Sequence, residues 1–479
     1  MSDADKQRLQ HVLVSRLMSI SSVLSVTLVG SFVDREDLSG VSDIDTIVIC
    51  QKLNESIFNQ CIDTTKQIPL DECGFQEYRL QINTQFGPLK FDEPKLIVVH
   101  LMVYDIEGHY KHVIASPFTC LDWERSSVIH GKALKEVFPV GRLQPVDFEN
   151  ARRGLENYLE DIDSHSVSYR EYSFEDGQIS EIKKQHPLDD RHQGEYAFHI
   201  VRNLLLNHLK LLHDDNRLFS TKELEDSIGD LFDNQSTEYR EKFRIIAGLK
   251  QRRSHEFPEW TLQWAKDFIS VFQNAFREQW ASAKSVYFMR HAQTELNDGS
   301  FLGQGRDPSI LSSRSNVRLE LPVECVYSSP ARRCLETAQL VSNLPIQIDE
   351  RLLEINYGAA EGMTFGQLKD THPEIIQAWN SGEDPRFPEG ENTAEVLIRL
   401  QNFNEQLAQE ATTKTLVITH NVVLRCLIGN AHAIPAKDWH RLIIPHNEPL
   451  EFKLLNNQFY TNIPRPLLGD IFKGFLEGV

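Results

Sequence analysis

"VYFMRHAQTELN", residues 286–297, decides how the second half of this chain is read. Val286 to Met289 form an apolar run of strand length, and the run delivers an arginine and a histidine side by side at its end. From Lys284 onward such runs alternate with helical spacing. "CVYSS" and "TLVIT" read as strands, and "ARRCLETAQLVSN" and "AEVLIRLQNFNEQLAQE" read as helices. That alternation predicts an α/β layered domain, whose functional groups should gather at the carboxyl ends of its strands. The candidates stand at such places: Arg290 and His291 after the first strand, Arg333 after "CVYSSP", His420 after "TLVIT", and Glu354 before a glycine turn. Imidazole is a capable nucleophile towards phosphorus, and the guanidinium fork matches phosphate oxygens.

These residues lie in a series of motifs that resembles the histidine phosphatase superfamily, also called phosphoglycerate mutase-like. "MRHAQTELN" is similar to RHGxTxxN, "SSPARRCLETA" to SSPxxRxxxTA and "LLEINYGAAEGMT" to LxExxxGxxEG. "PEGENTAEVLIR" is similar to PxGESxxxxxxR and "VITHNVVLRCL" to VxHxxxxRxL, all in family order. The resemblance implies a three-layer α/β fold and a phosphohistidine at His291. Arg290, Arg333 and His420 would hold the phosphoryl oxygens, Glu354 would protonate the leaving group and Asn297 would contact the phosphate. Water would then release it without a metal. Ala292 and Asn421 stand where the family has glycines. "GMTFGQLKDTHPEIIQAW" and "THNVVLRCL" are more similar to the fructose-2,6-bisphosphatase branch than to the glycolytic mutase. No GxxxxGK[ST] loop precedes them, so the resemblance implies a phosphatase of a small phosphomonoester without that branch's kinase.

A second constellation lies upstream. In "VGSFVDREDLSGVSDIDTIVI" a short strand ends in Gly30-Ser31, ten residues follow, and Ser42-Asp43-Ile44-Asp45 opens another strand. Acids one residue apart on a strand share a face, so Asp43 and Asp45 can share a magnesium ion, which prefers oxygen ligands. Glycine permits close backbone approach, and a serine hydroxyl can donate to phosphate. This GS-x10-SDxD stretch resembles the DNA polymerase β-like nucleotidyltransferase superfamily, which includes kanamycin nucleotidyltransferases. The resemblance implies a mixed-sheet α/β domain with Asp43 and Asp45 as catalytic magnesium ligands. Gly30, Ser31 and Ser42 would bind a nucleoside triphosphate, whose nucleotidyl group would pass to a small molecule. The family's third carboxylate is missing: on "KLIVVHLMVYD" its equivalent position is His100, with Asp105 at the far end and Asp92 and Glu93 before the strand. A retired transferase domain that binds nucleotide and regulates the phosphatase stays open beside an active one.

Between the two, strand signals fade. "NARRGLENYLEDI", "GEYAFHIVRNLLLNHLKLL", "STEYREKFRIIAGLKQ" and "EWTLQWAKDFISVFQNAFREQWASA" have helical period, and "EDGQISEIKKQHPLDDRHQG" reads as a loop. The expectation is a multidomain chain: a nucleotidyltransferase-like domain over 1–140, an all-α domain over 141–283 and a histidine phosphatase domain over 284–479. A length of 479 residues accommodates that number. The net charge of −19 argues against nucleic acid and anionic membranes as partners. The start lacks the apolar core of a signal peptide, and no run approaches membrane-spanning length. Seven scattered cysteines without a CxxC pair suit reduced thiols in a cytoplasm.

Overall fold

The computed structural model describes residues 3–34, 43–86, 93–151, 154–175, 178–188, 190–232, 236–252, 254, 256–311 and 321–476. Contact clustering divides the chain into two units: residues up to Leu143 with Ala151–Ala275, and Gln144–Asn150 with Phe276–Glu477. The first sheet and most of the helical stretch thus fall in one unit.

In the first unit the strands are β1 (Val23–Val29), β2 (Asp43–Cys50), β3 (Arg79–Asn83), β4 (Leu96–Asp105) and β5 (Val128–Gly131), in sheet order β3-β4-β2-β1-β5. β2 and β4 are buried almost end to end, as a central parallel pair requires. β1 runs antiparallel to both β2 and β5, which makes the sheet mixed. The helix Asp3–Met18 lays Leu9, Leu13 and Leu17 on Val26, Leu28, Val48 and Val99.

One expectation is overturned here. The stretch read as a loop inside an all-α region is half of a long antiparallel hairpin, β6 (Ser166–Glu175) and β7 (Gln178–Pro187). Its strands are mostly polar; Tyr172, Phe174 and Ile179 pack on the first core and Val167 is buried, while Ile182 is exposed. Phe58 meets both Tyr172 and Phe174, the Tyr172 hydroxyl donates to Val103 O at 2.8 Å, and Phe86 bridges Arg170. So few buried positions leave no apolar alternation to detect. Asp176-Gly177, between the strands, was the available signal, since that dipeptide favours a two-residue hairpin turn. Those two residues lie outside the described ones. The helices Asp190–His213, Ser236–Gln251 and Thr261–Ala281 form where the period placed them.

The second unit has a six-stranded sheet of β8 (Lys284–Arg290), β9 (Cys325–Ser328), β10 (Ile346–Ile348), β11 (Lys414–Thr419), β12 (Pro449–Leu455) and β13 (Gln458–Thr461), in order β10-β9-β11-β8-β12-β13. β10, β9, β11 and β8 are parallel, and β12 and β13 close the far side antiparallel. The helix Arg332–Val341 packs Cys334, Ala338 and Val341 on Met289, Val326, Leu416 and Ile418. All seven cysteines are buried and none is in a disulfide, and no helix among the described residues is long and apolar enough to cross a membrane.

Candidate active site

Sheet register brings the two histidines together. β8 and β11 are parallel neighbours with Arg290 opposite Thr419, so the next residue of each strand, His291 and His420, leaves the same sheet edge. Their ring centroids are 5.3 Å apart, and His291 N donates to Thr419 O at 3.0 Å. His291 Nδ1 lies 2.7 Å from Ala292 O. A carbonyl only accepts, so Nδ1 carries the proton and the Nε2 lone pair is left for attack. His420, fully buried, has Nε2 2.8 Å from Ser329 Oγ, with Cys334 Sγ at 3.4 Å. Burial first, and then the nearby Arg333 charge, hold both imidazoles well below their ordinary pKa, so both are neutral at pH 7.

Arg333 is 1 % exposed. Its Nη1 donates to Arg306 O at 3.1 Å and to Asp307 Oδ1 at 3.3 Å, and its Nη2 donates to Gly303 O at 2.8 Å. Arg290 Nη1 donates to Ile444 O at 2.9 Å. Burial pulls the Arg290 pKa down to about 10 despite the opposing Glu354 charge. The Nε atoms of Arg290 and Arg333 are buried and have no hydrogen-bond partner among the described residues. An unmet guanidinium donor is costly to bury, and an anion relieves that cost.

Glu354 accepts from Ile355 N at 3.0 Å and from Val422 N at 3.1 Å, the latter in the first turn of the helix Asn421–Ala431. Burial raises its pKa, opposed by the Ile355 amide and the Arg333 charge. Its environment therefore favours holding a proton, as an acid must. Asn297 Oδ1 accepts from Thr294 N at 2.8 Å, closing a turn just past His291. Asn421, standing where the family has glycine, has a buried Oδ1 without a partner.

Several participants were missed in the sequence. Ser329 touches His420; its signal was the "SSP" motif, in which only the later arginine drew attention. Arg399, the last residue of "PEGENTAEVLIR", reaches Glu354 O at 3.2 Å and Glu391 Oε1 at 3.2 Å, bracing the acid's own backbone. Arg425 is held by Leu442 O at 2.9 Å and acts electrostatically on Arg290. His446, whose Nδ1 is 2.7 Å from His291 O, belongs to no motif.

The upstream site is organised differently. Val29 pairs with Asp45 across β1 and β2, and Asp45 pairs with His100 across β2 and β4. Gly30 has φ of +76°, and a Cβ there would stand 2.5 Å from Asp45 Oδ2. Glycine is required on both counts. Ser31 opens the short helix Ser31–Asp34, and Asp43 and Asp45 are half-buried on one face of β2. Ser42 and Asp92 lie outside the described residues. His100 Nδ1 is 2.9 Å from Asp45 Oδ1, and its Nε2 meets Gln85 O. Burial works against charge on His100, yet Asp45 raises its pKa overall. Asp105 is spent on structure, capping Gly108 N at 2.7 Å and accepting from Leu53 N at 3.2 Å. Among the described residues no three His, Cys, Asp or Glu stand together as a metal cluster. Asp45 is thus bonded to an imidazole, and among the described residues no third carboxylate joins Asp43 and Asp45.

Comparison with known proteins bears on the second unit. Residues 286–451 match the family model "Histidine phosphatase superfamily (branch 1)". Phosphoserine phosphatase 1 of Hydrogenobacter thermophilus is 30% identical over 158 residues, covering 30% of this chain and 73% of that protein. The 6-phosphofructo-2-kinase/fructose-2,6-bisphosphatase of Aquarana catesbeiana is 28% identical over 154 residues, 30% of this chain and 32% of its own length. Among solved structures, the alpha-ribazole phosphatase of Shigella flexneri matches 38% of this chain and 96% of its own, at 21% identity and a TM-score of 0.34. Through residues 286–451, this chain belongs to branch 1 of the histidine phosphatase superfamily.

Proposed function

We propose that the second unit hydrolyses a small phosphomonoester through a phosphohistidine at His291. The observation that carries this reading is the pair of buried, unpartnered guanidinium Nε atoms of Arg290 and Arg333 beside a neutral imidazole with a fixed tautomer. His291 Nε2 attacks phosphorus while the P–O bond to the alcohol breaks. Arg290, Arg333 and His420 spread the charge on the phosphoryl oxygens, with Asn297 as a further phosphate contact. Glu354 gives its proton to the departing oxygen, and its carboxylate then takes one from the water that cleaves the P–N bond. The matched phosphoserine phosphatase and fructose-2,6-bisphosphatase carry phosphatase names, which supports a small phosphate ester as the substrate class. Rapid acid-sensitive phosphate labelling of the peptide containing His291, with turnover abolished in His291→Ala, tests it. Turnover that survives His291→Ala rejects it.

A second activity is proposed for the first unit: transfer of a nucleotidyl group from a nucleoside triphosphate to a small molecule, at Gly30, Ser31, Ser42, Asp43 and Asp45. What supports it is the close approach of Gly30, at a positive φ, to Asp45, which sets the end of β1 beside the acids of β2. The His100–Asp45 bond supports the alternative, a domain that binds nucleotide without transferring it. His291→Ala protein incubated with magnesium, each nucleoside triphosphate and fractionated metabolites separates the two. Pyrophosphate above an Asp43→Asn/Asp45→Asn blank means transfer, and nucleotide binding without pyrophosphate means the alternative.

A further inference from the structure

A third imidazole, that of His446, stands beside His291. His446 lies on the loop entering β12, and that loop is stitched to the end of β8. Arg290 Nη1 donates to Ile444 O at 2.9 Å, Asn447 N donates to Arg290 O at 3.2 Å, and His446 Nδ1 is 2.7 Å from His291 O. Asn447 takes a φ of +57°, a left-handed turn that asparagine tolerates, and so holds His446 against His291. The two rings are 5.6 Å apart. Because His291 O can only accept, His446 Nδ1 carries the proton and Nε2 presents a lone pair. Nε2 makes no hydrogen bond among the described residues. Arg290 at the end of β8 and His291 just after it are the charged and titratable groups facing this ring; Glu448 on its own loop is exposed. Burial and the Arg290 charge bring its pKa down to about 4, so near pH 7 it is an acceptor.

An acceptor beside a phosphoryl oxygen is repulsive unless one proton lies between them. Resting on the phosphatase reading above, we infer that His446 is a phosphoryl-binding residue whose Nε2 accepts the P–OH of the bound group, so that the site takes the phosphate ester with one proton retained. Inside the site that proton stays between Nε2 and the oxygen, and no other bond changes. A phosphomonoester loses this proton with a second pKa of about 6. Binding should then weaken about tenfold for each pH unit above it.

The test uses the full chain and inorganic phosphate as a competitive inhibitor of p-nitrophenyl phosphate hydrolysis between pH 5.5 and 8.5. His446→Asn retains a side-chain amide where Nδ1 stood and can still hold His291 O, but it removes Nε2. His446→Gln places an amide near the Nε2 position and can donate to a dianion. The wild-type inhibition constant is expected to climb about tenfold per unit above the second pKa of phosphate. In His446→Gln the climb should flatten, and in His446→Asn binding should weaken at low pH with kcat changed less than KM. Identical slopes in wild type and His446→Gln overturn the inference. So does a change confined to KM for hydroxyl-bearing esters with phosphate inhibition untouched, which would assign His446 to the leaving group. If wild-type protein hydrolyses no ester and is indistinguishable from His291→Ala, the phosphatase reading itself falls. If hydrolysis is present and indifferent to His446, only this inference falls.

Discussion

Replacing Arg333 tests two roles at once: its proposed hold on the phosphoryl group, and its effect on His291 and His420, whose pKa values its charge lowers after burial. A guanidinium has five N–H donors, of which three are spent on Arg306 O, Asp307 and Gly303 O, so two remain for a phosphoryl oxygen. Charge-assisted hydrogen bonds contribute about 1.5–3 kcal/mol each. Losing two in the transition state therefore costs about 3–6 kcal/mol, or on the order of 10²–10⁴-fold in kcat/KM. Arg333→Met should show that loss. It should also move the acid limb of the pH profile upward. The nucleophile must be neutral, and Arg333 is, after burial, the next cause of the depressed pKa of His291. With the charge gone, His291 protonates at higher pH, and activity fades earlier as pH falls. Arg333→Lys separates the effects: it keeps a positive charge, so the acid limb should stay, but a compact ammonium cannot reproduce the fork, so kcat/KM should still drop. The assay is kcat/KM for p-nitrophenyl phosphate against pH, with near-UV circular dichroism to confirm folding, since Met leaves Gly303 O and Arg306 O unpaired. An acid limb that is the same in wild type and Arg333→Met would refute the electrostatic coupling, and an unchanged kcat/KM would refute the phosphate contact.

Glu354→Gln should slow the pre-steady-state burst of alcohol release from an alkyl phosphate by about 10²–10³-fold but barely slow the burst of p-nitrophenolate, whose departure needs no proton; equal losses in the two bursts would deny Glu354 the acid's role. Gly30→Ala forces a Cβ to within 2.5 Å of Asp45 Oδ2 at a positive φ, and denaturant unfolding should register about 1–3 kcal/mol of destabilisation. Tyr172→Phe removes the hydroxyl bond to Val103 O while keeping the ring on Phe58, so the expected loss is about 0.5–1.5 kcal/mol, and a stability equal to wild type would show that the hairpin bond contributes nothing.

What could be read from the sequence, and what could not, divides along the range of the interactions. β8 and β11 were legible because a run such as "SVYFM" or "TLVIT" is apolar throughout, as a strand covered on both faces must be. Arg290, His291 and His420 were legible because a parallel sheet sends the ends of its strands to one edge, so strand assignment alone implied that they would meet. The expectation that position 100 stands with Asp43 and Asp45 came instead from the nucleotidyltransferase resemblance, and the register of β2 with β4 sets Asp45 directly opposite His100. The hairpin β6–β7 was illegible because few of its side chains are both apolar and buried, and a pattern that sparse looks like a polar loop. His446 was illegible for a different reason. Its place depends on the loop before β12 being tied to both the side chain and the carbonyl of Arg290, a contact across more than 150 residues of chain that leaves no local periodicity. Charge was the least legible quantity. Five arginines in five motifs look alike in sequence, yet Arg399 is absorbed by Glu391 and the backbone of Glu354, whereas Arg290 and Arg333 each keep a buried donor unmet. Only the unmet ones point to an anion, and only the completed hydrogen-bond inventory of the folded chain separates them from the rest.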